Sequence, residues 1–230
     1  MPPTLSIVMP IFNEEESIRI VLSEWTKELN RILPNSYLFI LVDGSSDETS
    51  NIIQREFSNS KFFMHIILKN SSHGDKCMEG YKKAFSCRSE WVLQIDSDYQ
   101  CDPQYFKKFW KHTSSNNVIM GKRTKRLDGF HRLIISNSIS VWISFFLYKF
   151  CKDPNVPYRL FNRNVLQEFL PKIPNISLFN IYMSYLIMQD NEIMWIDITF
   201  RKRLYGKSSH RITFALKALV QLTKSLKSLK

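Results

Sequence analysis

The chain has 230 residues, 44% of them apolar and 23% charged, with 32 Lys and Arg against 21 Asp and Glu for a formal net charge of +11. This composition excludes intrinsic disorder, the length suits one domain with a full core, and the basic excess points to nucleic acid, a phosphorylated small molecule or an anionic membrane surface as partner. The cysteines at 77, 87, 101 and 151 form no CxxC pair and suggest neither a zinc site nor a disulfide framework, and no run of 18 apolar residues or basic leader reads as a membrane span or signal peptide.

In chain order, LSIVMPIF (5–12), YLFILV (37–42), FFMHIIL (62–68), WVLQI (91–95) and NVIMG (117–121) read as strands. Most are near-continuously apolar, the pattern of strands buried on both faces. Residues 14–31, 46–57, 75–87 and 103–112 have helical character. Strand and helix in alternation imply an α/β fold with a mostly parallel central sheet flanked by helices. Ligands of such sheets sit at the carboxyl ends of the strands, which singles out loops 10–15, 43–48, 69–76 and 96–103. After residue 122 the composition changes. GKRTKRLDGFHR is strongly basic, and the apolar stretch after it carries Arg132, Ser136, Ser140 and Ser144 at helical spacing, one polar stripe on an apolar cylinder. The tail ITFALKALVQLTKSLKSLK sets leucines on one helical face and lysines on the other. It reads equally as an interfacial amphipathic helix or as a docked terminal helix with a solvated Lys face.

The most informative segment is WVLQIDSDYQCDP. An apolar strand ends in Asp96, Ser97 and Asp98, so two carboxylates crowd together where ligands bind. Their repulsion invites a divalent cation, and hard oxygen donors in an incomplete shell suit Mg²⁺ or Mn²⁺. Gln100 can add a carbonyl oxygen, and Asp102 before Pro103 is placed to cap the next helix. In LVDGSSDETS, Asp43 is a candidate ligand contact, while Ser46 or Asp47 can cap a helix. Phe12, at the end of the first strand, either packs or faces a ring.

Taken together, PIFNEE, VDGSSDET, the HGDK turn and IDSDYQCDP, in this order, resemble the family 2 glycosyltransferases of the GT-A fold. The resemblance is strongest to the branch that acts on polyprenyl phosphates, dolichol-phosphate mannosyltransferase included. GKR at 121–123, Arg132 with Ser136, DPNVPYRLF at 153–161 and an F-x-x-R-x-x-G-x-S pattern at Phe200, Arg203, Gly206 and Ser208 extend it over nearly the whole chain. The resemblance implies that Pro10, Phe12, Glu14, Asp43, Lys76, Asp96 and Ser97 bind the nucleotide-diphosphate sugar. It implies Asp96, Asp98 and Gln100 as ligands of Mg²⁺ or Mn²⁺, with Arg203 closing over the donor phosphates as a catalytic group beside the two aspartates. Arg123, Arg132 and Ser136 would grip the acceptor phosphate. Residues 1–122 then form the nucleotide-sugar-binding core and 123–230 the acceptor-binding part with interfacial helices, as one continuous catalytic domain.

The implied reaction is an inverting hexosyl transfer to a polyprenyl phosphate at the cytoplasmic face of a membrane. Access would be through peripheral helices or a small membrane partner subunit, since the sequence ends without paired transmembrane helices; nucleic acid is not an expected partner. Two alternatives remain: transfer to a saccharide hydroxyl, with Asp128 or Asp153 as base, and a catalytically inactive lipid-binding or scaffold homologue. The second draws on two departures from the pattern. Val42 stands where the second loop usually has a first aspartate, and Val156-Pro157 stand where Ser/Thr-Gly usually precedes the aromatic-Arg pair.

Overall fold

Apolar runs without alternation demand cover on both faces, and the sheet supplies it. A computed structural model describes residues 2–126, 141, 144, 150–174 and 179–204. Arg132, Ser136, Asp128, the serine-striped stretch other than Ser144, and the Lys-rich tail lie outside the described residues. Strands β1 (Leu5–Ile11), β2 (Tyr37–Asp43), β3 (Phe63–Ile67), β4 (Trp91–Gln94), β5 (Val118–Arg126), β6 (Arg159–Asn162) and β7 (Met194–Phe200) form one sheet in the order β3-β2-β1-β4-β6-β5-β7. β1 runs parallel to both β2 and β4, and β3 to β2. β6 is antiparallel to β4 and β5, whereas β5 and β7 are parallel. The mostly parallel α/β sheet expected from the sequence is therefore present. β6 and β7 are two strands that the sequence pattern did not single out.

Helices α1 (Ile18–Ile32), α2 (Thr49–Glu56), α3 (His73–Ser86), α4 (Phe106–Lys111), α5 (Arg163–Phe169) and α6 (Phe179–Asp190) flank the sheet. α1 buries Ile18, Val21, Leu22, Trp25 and Leu29 on one stripe, and Trp25 meets Phe106 and Tyr158 ring to ring. α3 packs on β1 and β2, with α5 and α6 beside it. Its start is set by a capping box, in which Ser72 accepts from the Asp75 N–H and Asp75 accepts from the Ser72 N–H. No helix among the described residues is long and apolar enough to cross a membrane.

Strand order reverses direction at β1. The chain steps from β1 through β2 to β3 on one side, then returns to place β4 on the other. The crevice between the carboxyl ends of β1 and β4 is the topological switch point, where ligands of open α/β sheets bind. Pro10 helps to define that crevice. A proline is poorly suited to a central strand because it has no N–H for the ladder. Here the β4 ladder stops at Val8↔Gln94, with Ile95 N donating to Val8 O on that side. Two residues on, Pro10 faces the same side, where the Ser97 hydroxyl meets its carbonyl at 3.1 Å.

Close packing of α3 on the sheet depends on Gly80, where an added Cβ would lie 2.4 Å from Val8 Cγ1 and 3.4 Å from Val42 Cγ2. Gly80→Ala gains about 1 kcal/mol of helix propensity but meets an overpacking penalty of about 1–3 kcal/mol. Urea unfolding should show net destabilisation, reversed when Val8→Ala is added to make room; a stabilised single variant would contradict the packing described.

Candidate active site

Three loops converge on the switch point, and two of them are stitched to each other. Asn13 adopts a left-handed backbone with φ 55°, a conformation that Asn tolerates better than most residues. Its N–H donates to Ser45 Oγ at 2.9 Å and its side-chain oxygen accepts from Ser46 N at 2.8 Å. Glu14 N donates to Thr49 Oγ1, and Glu48 N donates to Glu15 Oε2. The Asp47 carboxylate accepts both the N–H and the hydroxyl of Thr49 at the start of α2, from one residue before the N-cap position, which Glu48 rather than the expected Ser46 or Asp47 occupies. Asp43 lies at the centre of this seam and is fully buried. Its Oδ1 accepts from Ser45 N at 2.8 Å, and Oδ2 accepts from the Ser50 hydroxyl and lies 3.0 Å from His65 Nε2. Burial alone would raise its pKa, but the bonds from His65, Ser45 and Ser50 outweigh burial and hold the carboxyl well below the usual range. Both oxygens are thus engaged in ordering the loop.

The third loop follows β4. Asp96 and Asp98 emerge from it two residues apart, separated by Ser97, whose hydroxyl ties the loop to β1. Asp96 Oδ1 is buried and meets no hydrogen-bond donor among the described residues. Burial pushes both carboxyls up from the ordinary range; the charge of Asp96 adds to the rise at Asp98, while Arg123, Arg203 and Arg159 moderate it at Asp96. A third carboxyl stands opposite. Glu14 is pushed up to about 7, chiefly by burial, against the Ser17 hydroxyl bond at 2.6 Å and the Arg203 charge. Arg203 Nη2 lies 3.2 Å from Glu14 Oε1 and 3.3 Å from Asp98 Oδ2. One guanidinium therefore bridges the β1 and β4 loops.

An orphaned buried carboxylate oxygen beside a second carboxylate fits a hard divalent cation. Among the described residues no group of three or more His, Cys, Asp and Glu could hold a metal; Asp96 and Asp98 are the two carboxylates that would hold one here. Gln100 also holds the loop in place. It is buried, and its side-chain amide donates to Arg201 O at 3.1 Å while its own carbonyl accepts from Arg201 N.

Lys76 and Phe12 lie together, with the ammonium 5.1 Å from the ring centroid. Lys76 is buried and its pKa is lowered, first by that burial, while Phe12 is 53% exposed and presents an aromatic face at the end of β1. Lys76 Nζ would lie 3.2 Å from a Cβ at Gly44, so the glycine leaves room for the ammonium beside the β2 loop. Arg123 has an anionic partner of its own. Its Nε and Nη2 grip both oxygens of Asp153 at 2.7 and 2.6 Å, with side-chain exposures of only 7% and 6%. Arg159 is fully buried and donates to the carbonyls of Val156, Pro154 and Asn180, pinning the 153–157 loop to α6. Val42, the departure in the second loop, is a core residue packed beneath Gly80.

The family model "Glycosyl transferase family 2" matches residues 6–172. The chain belongs to this family. Undecaprenyl-phosphate 4-deoxy-4-formamido-L-arabinose transferase of Pectobacterium atrosepticum is 22% identical over 209 residues, covering 90% of this chain and 62% of that protein. The chain thus spans about three fifths of the length of that relative. An uncharacterized glycosyltransferase, YkoT, of Bacillus subtilis is 29% identical over 195 residues, covering 77% of this chain and 54% of that one. Among solved structures, glucosyl-3-phosphoglycerate synthase from Mycobacterium tuberculosis, crystallised with Mn²⁺, UDP and phosphoglyceric acid, superimposes with a TM-score of 0.72 at 15% identity. The match covers 97% of this chain and 78% of that one, and it shows a shared GT-A architecture.

In this family member the structure brings Glu14, Asp96, Asp98 and Arg203 to one point and sets Ser97 and Pro10 behind them. It keeps Asp43 inside the loop seam and Arg123 on Asp153. Two residues with evident work escaped the sequence reading. Neither was given a role there: the cluster RKR at 201–203 was the one available signal for Arg201, and Arg159 was read only as part of the aromatic-Arg pair Tyr158-Arg159.

The raised carboxyls have a consequence for stability. A carboxyl whose folded pKa lies above its unfolded value binds more protons when folded, so stability falls as pH rises through that interval. For Glu14 the interval runs from about 4.5 to about 7. Scanning calorimetry without added metal should show this decline, and Glu14→Gln should flatten it; equal slopes in both proteins would refute the assignment.

Proposed function

We propose that this chain transfers a hexose, with inversion, from a nucleotide-diphosphate sugar to a polyprenyl phosphate at a membrane surface. The observation that carries the reading is the Asp96–Asp98 pair at the switch point, with its orphaned buried oxygen and Arg203 across the crevice. Asp96 and Asp98 are the residues to hold Mg²⁺ or Mn²⁺, which when bound supplies countercharge to the diphosphate as it leaves. Phe12 offers its exposed face to the nucleotide base, with Lys76 beside it as a cation for donor oxygens. Arg203, already bridging carboxylates, has the charge and fork geometry to take diphosphate oxygens instead. Asp43 contributes by holding the loop that borders the donor.

The acceptor assignment rests on what the carboxylates are doing. A sugar hydroxyl needs a base to take its proton, whereas a phosphate monoester oxygen is already ionised near neutral pH and attacks without one. Asp153, a candidate base, has both oxygens held in the Arg123 fork, which favours the phosphate. Arg123 then serves the acceptor by fixing the 153–157 loop and by its field, while Arg132 and Ser136 are proposed as direct phosphate contacts. The name of the Pectobacterium relative, an undecaprenyl-phosphate transferase, agrees with this reading. Interfacial helices in the second half would bring the site to the membrane.

Purified protein should be assayed with Mn²⁺ or Mg²⁺, a panel of nucleotide-sugars, and polyprenyl phosphate against saccharide acceptors. Product is expected only with polyprenyl phosphate. Chelator should abolish it, and Asp98→Ala should lower kcat by about 10²-fold or more. Turnover of saccharide acceptors alone would overturn the acceptor assignment; absence of turnover with every donor, together with an Asp98→Ala protein that binds nucleotide as the parent does, would overturn the enzyme reading.

A further inference from the structure

Beyond Phe200 the chain keeps the alternation of an extended segment, with Arg201 and Arg203 half-buried and Lys202 and Leu204 exposed. Its approach to the site is controlled by a series of contacts with the loop that carries Asp98. Thr199 N donates to the Tyr105 hydroxyl at 3.0 Å. Arg201 and Gln100 exchange two bonds, Arg201 N to Gln100 O and Gln100 Nε2 to Arg201 O, each 3.1 Å. The Arg201 guanidinium then spans two carboxylates, with Nη1 2.6 Å from Glu24 Oε2 and Nη2 2.7 Å from Asp102 Oδ1. It also covers the Tyr99 ring at 4.7 Å from the centroid, and the Tyr99 hydroxyl donates to the other Glu24 oxygen at 3.1 Å.

This is more than a surface ion pair, which contributes little by itself. Asp102 is buried and also caps the turn at Pro103 by accepting from Gln104 N. Tyr99 has a left-handed backbone, φ 68°, which a bulky residue keeps only when its surroundings hold it there. A planar fork is required to reach both carboxylates while lying flat on the ring. Two residues later the same segment delivers Arg203 to Asp98 and Glu14.

We propose that Arg201 is a positioning residue: by clamping the segment after β7 to Glu24, Asp102 and Tyr99, it sets where Arg203 presents its guanidinium to the donor diphosphate. The inference rests on the role given to Arg203 above. Displacing a charged group by about 1 Å can reduce a rate by up to about 10²-fold, so an anchor two residues away has kinetic leverage without touching substrate.

The test uses the full chain as R201K, R201Q, R203Q and the R201Q/R203Q double variant, with thermal unfolding recorded for each. The first readout is the Nε–H resonance of Arg203 in ¹⁵N-labelled protein, assigned by its loss in R203Q. It should be dispersed and slow to exchange in the parent and should collapse toward the solvent-averaged position in R201Q. R201K keeps the charge but reaches only one carboxylate, so it should fall between the two; it also stands in should R201Q fail to fold. The second readout is turnover with the donor found by the panel assay. R203Q is expected to lower kcat about 10²-fold and R201Q about tenfold with donor KM little changed, the double variant being no worse than R203Q. An unmoved Arg203 resonance in both Arg201 variants, or losses that multiply in the double variant, would overturn the proposal. A parent protein without turnover overturns the function proposed above, while the Arg203 resonance still decides the positioning.

Discussion

Three carboxylates gathered in a buried crevice repel one another, and the architecture of this protein is arranged around that repulsion. Glu14 arrives from β1, Asp96 and Asp98 from β4, and the switch point brings them together because those two strands are neighbours in space though eighty residues apart in sequence. Burial favours their neutral forms; Arg203 favours the charged ones. The site is therefore an electrostatic balance between three buried carboxyls and one guanidinium.

The balance works only if the loops cannot relax away from one another. Asn13, Ser45, Ser46 and Thr49 stitch the β1 and β2 exits, Ser97 ties the β4 exit to Pro10, and Asp43 spends both its oxygens on keeping the second loop closed. The Arg123–Asp153 fork and the buried Arg159 do the same for the far side, where the 153–157 loop is fixed to β5 and α6. Basic residues thus fall into two groups. Some hold backbone and carboxylates inside the protein, and others face the crevice, so the net positive charge is only partly a statement about ligands.

How much of this was legible in the sequence follows from how local each signal is. The five strands from β1 to β5 were readable because their apolar runs are long and bounded by polar loops. β6 has four residues and runs antiparallel between β4 and β5, so its short run RLFN carried little pattern of its own. Asp96 and Asp98 stood out since charge at the end of an apolar strand is conspicuous. Their neighbour Glu14 was legible only through the resemblance, and its contact with Arg203 spans 189 residues. Gln100 was read as a ligand from proximity to the aspartates; that its amide nitrogen bonds Arg201, a partner 101 residues away, is something no spacing rule could indicate. The pairing of Arg123 with Asp153 belongs to the same class, because the sequence reveals two charges while only the fold reveals that they meet.

Pro10 adds a constraint on how the site can vary. A strand normally stops where its hydrogen-bond partner stops, and slippage by two residues preserves side-chain facing, so register alone does not prevent β4 from growing longer along β1. With no N–H at Pro10, the next rung of that ladder cannot form on the β4 side. β4 is thereby terminated chemically, and the depth at which Asp96 leaves the sheet is written into the strand beside it. A change at position 10 would loosen the boundary between sheet and loop, altering the reach of Asp96 and Asp98 without touching either of them.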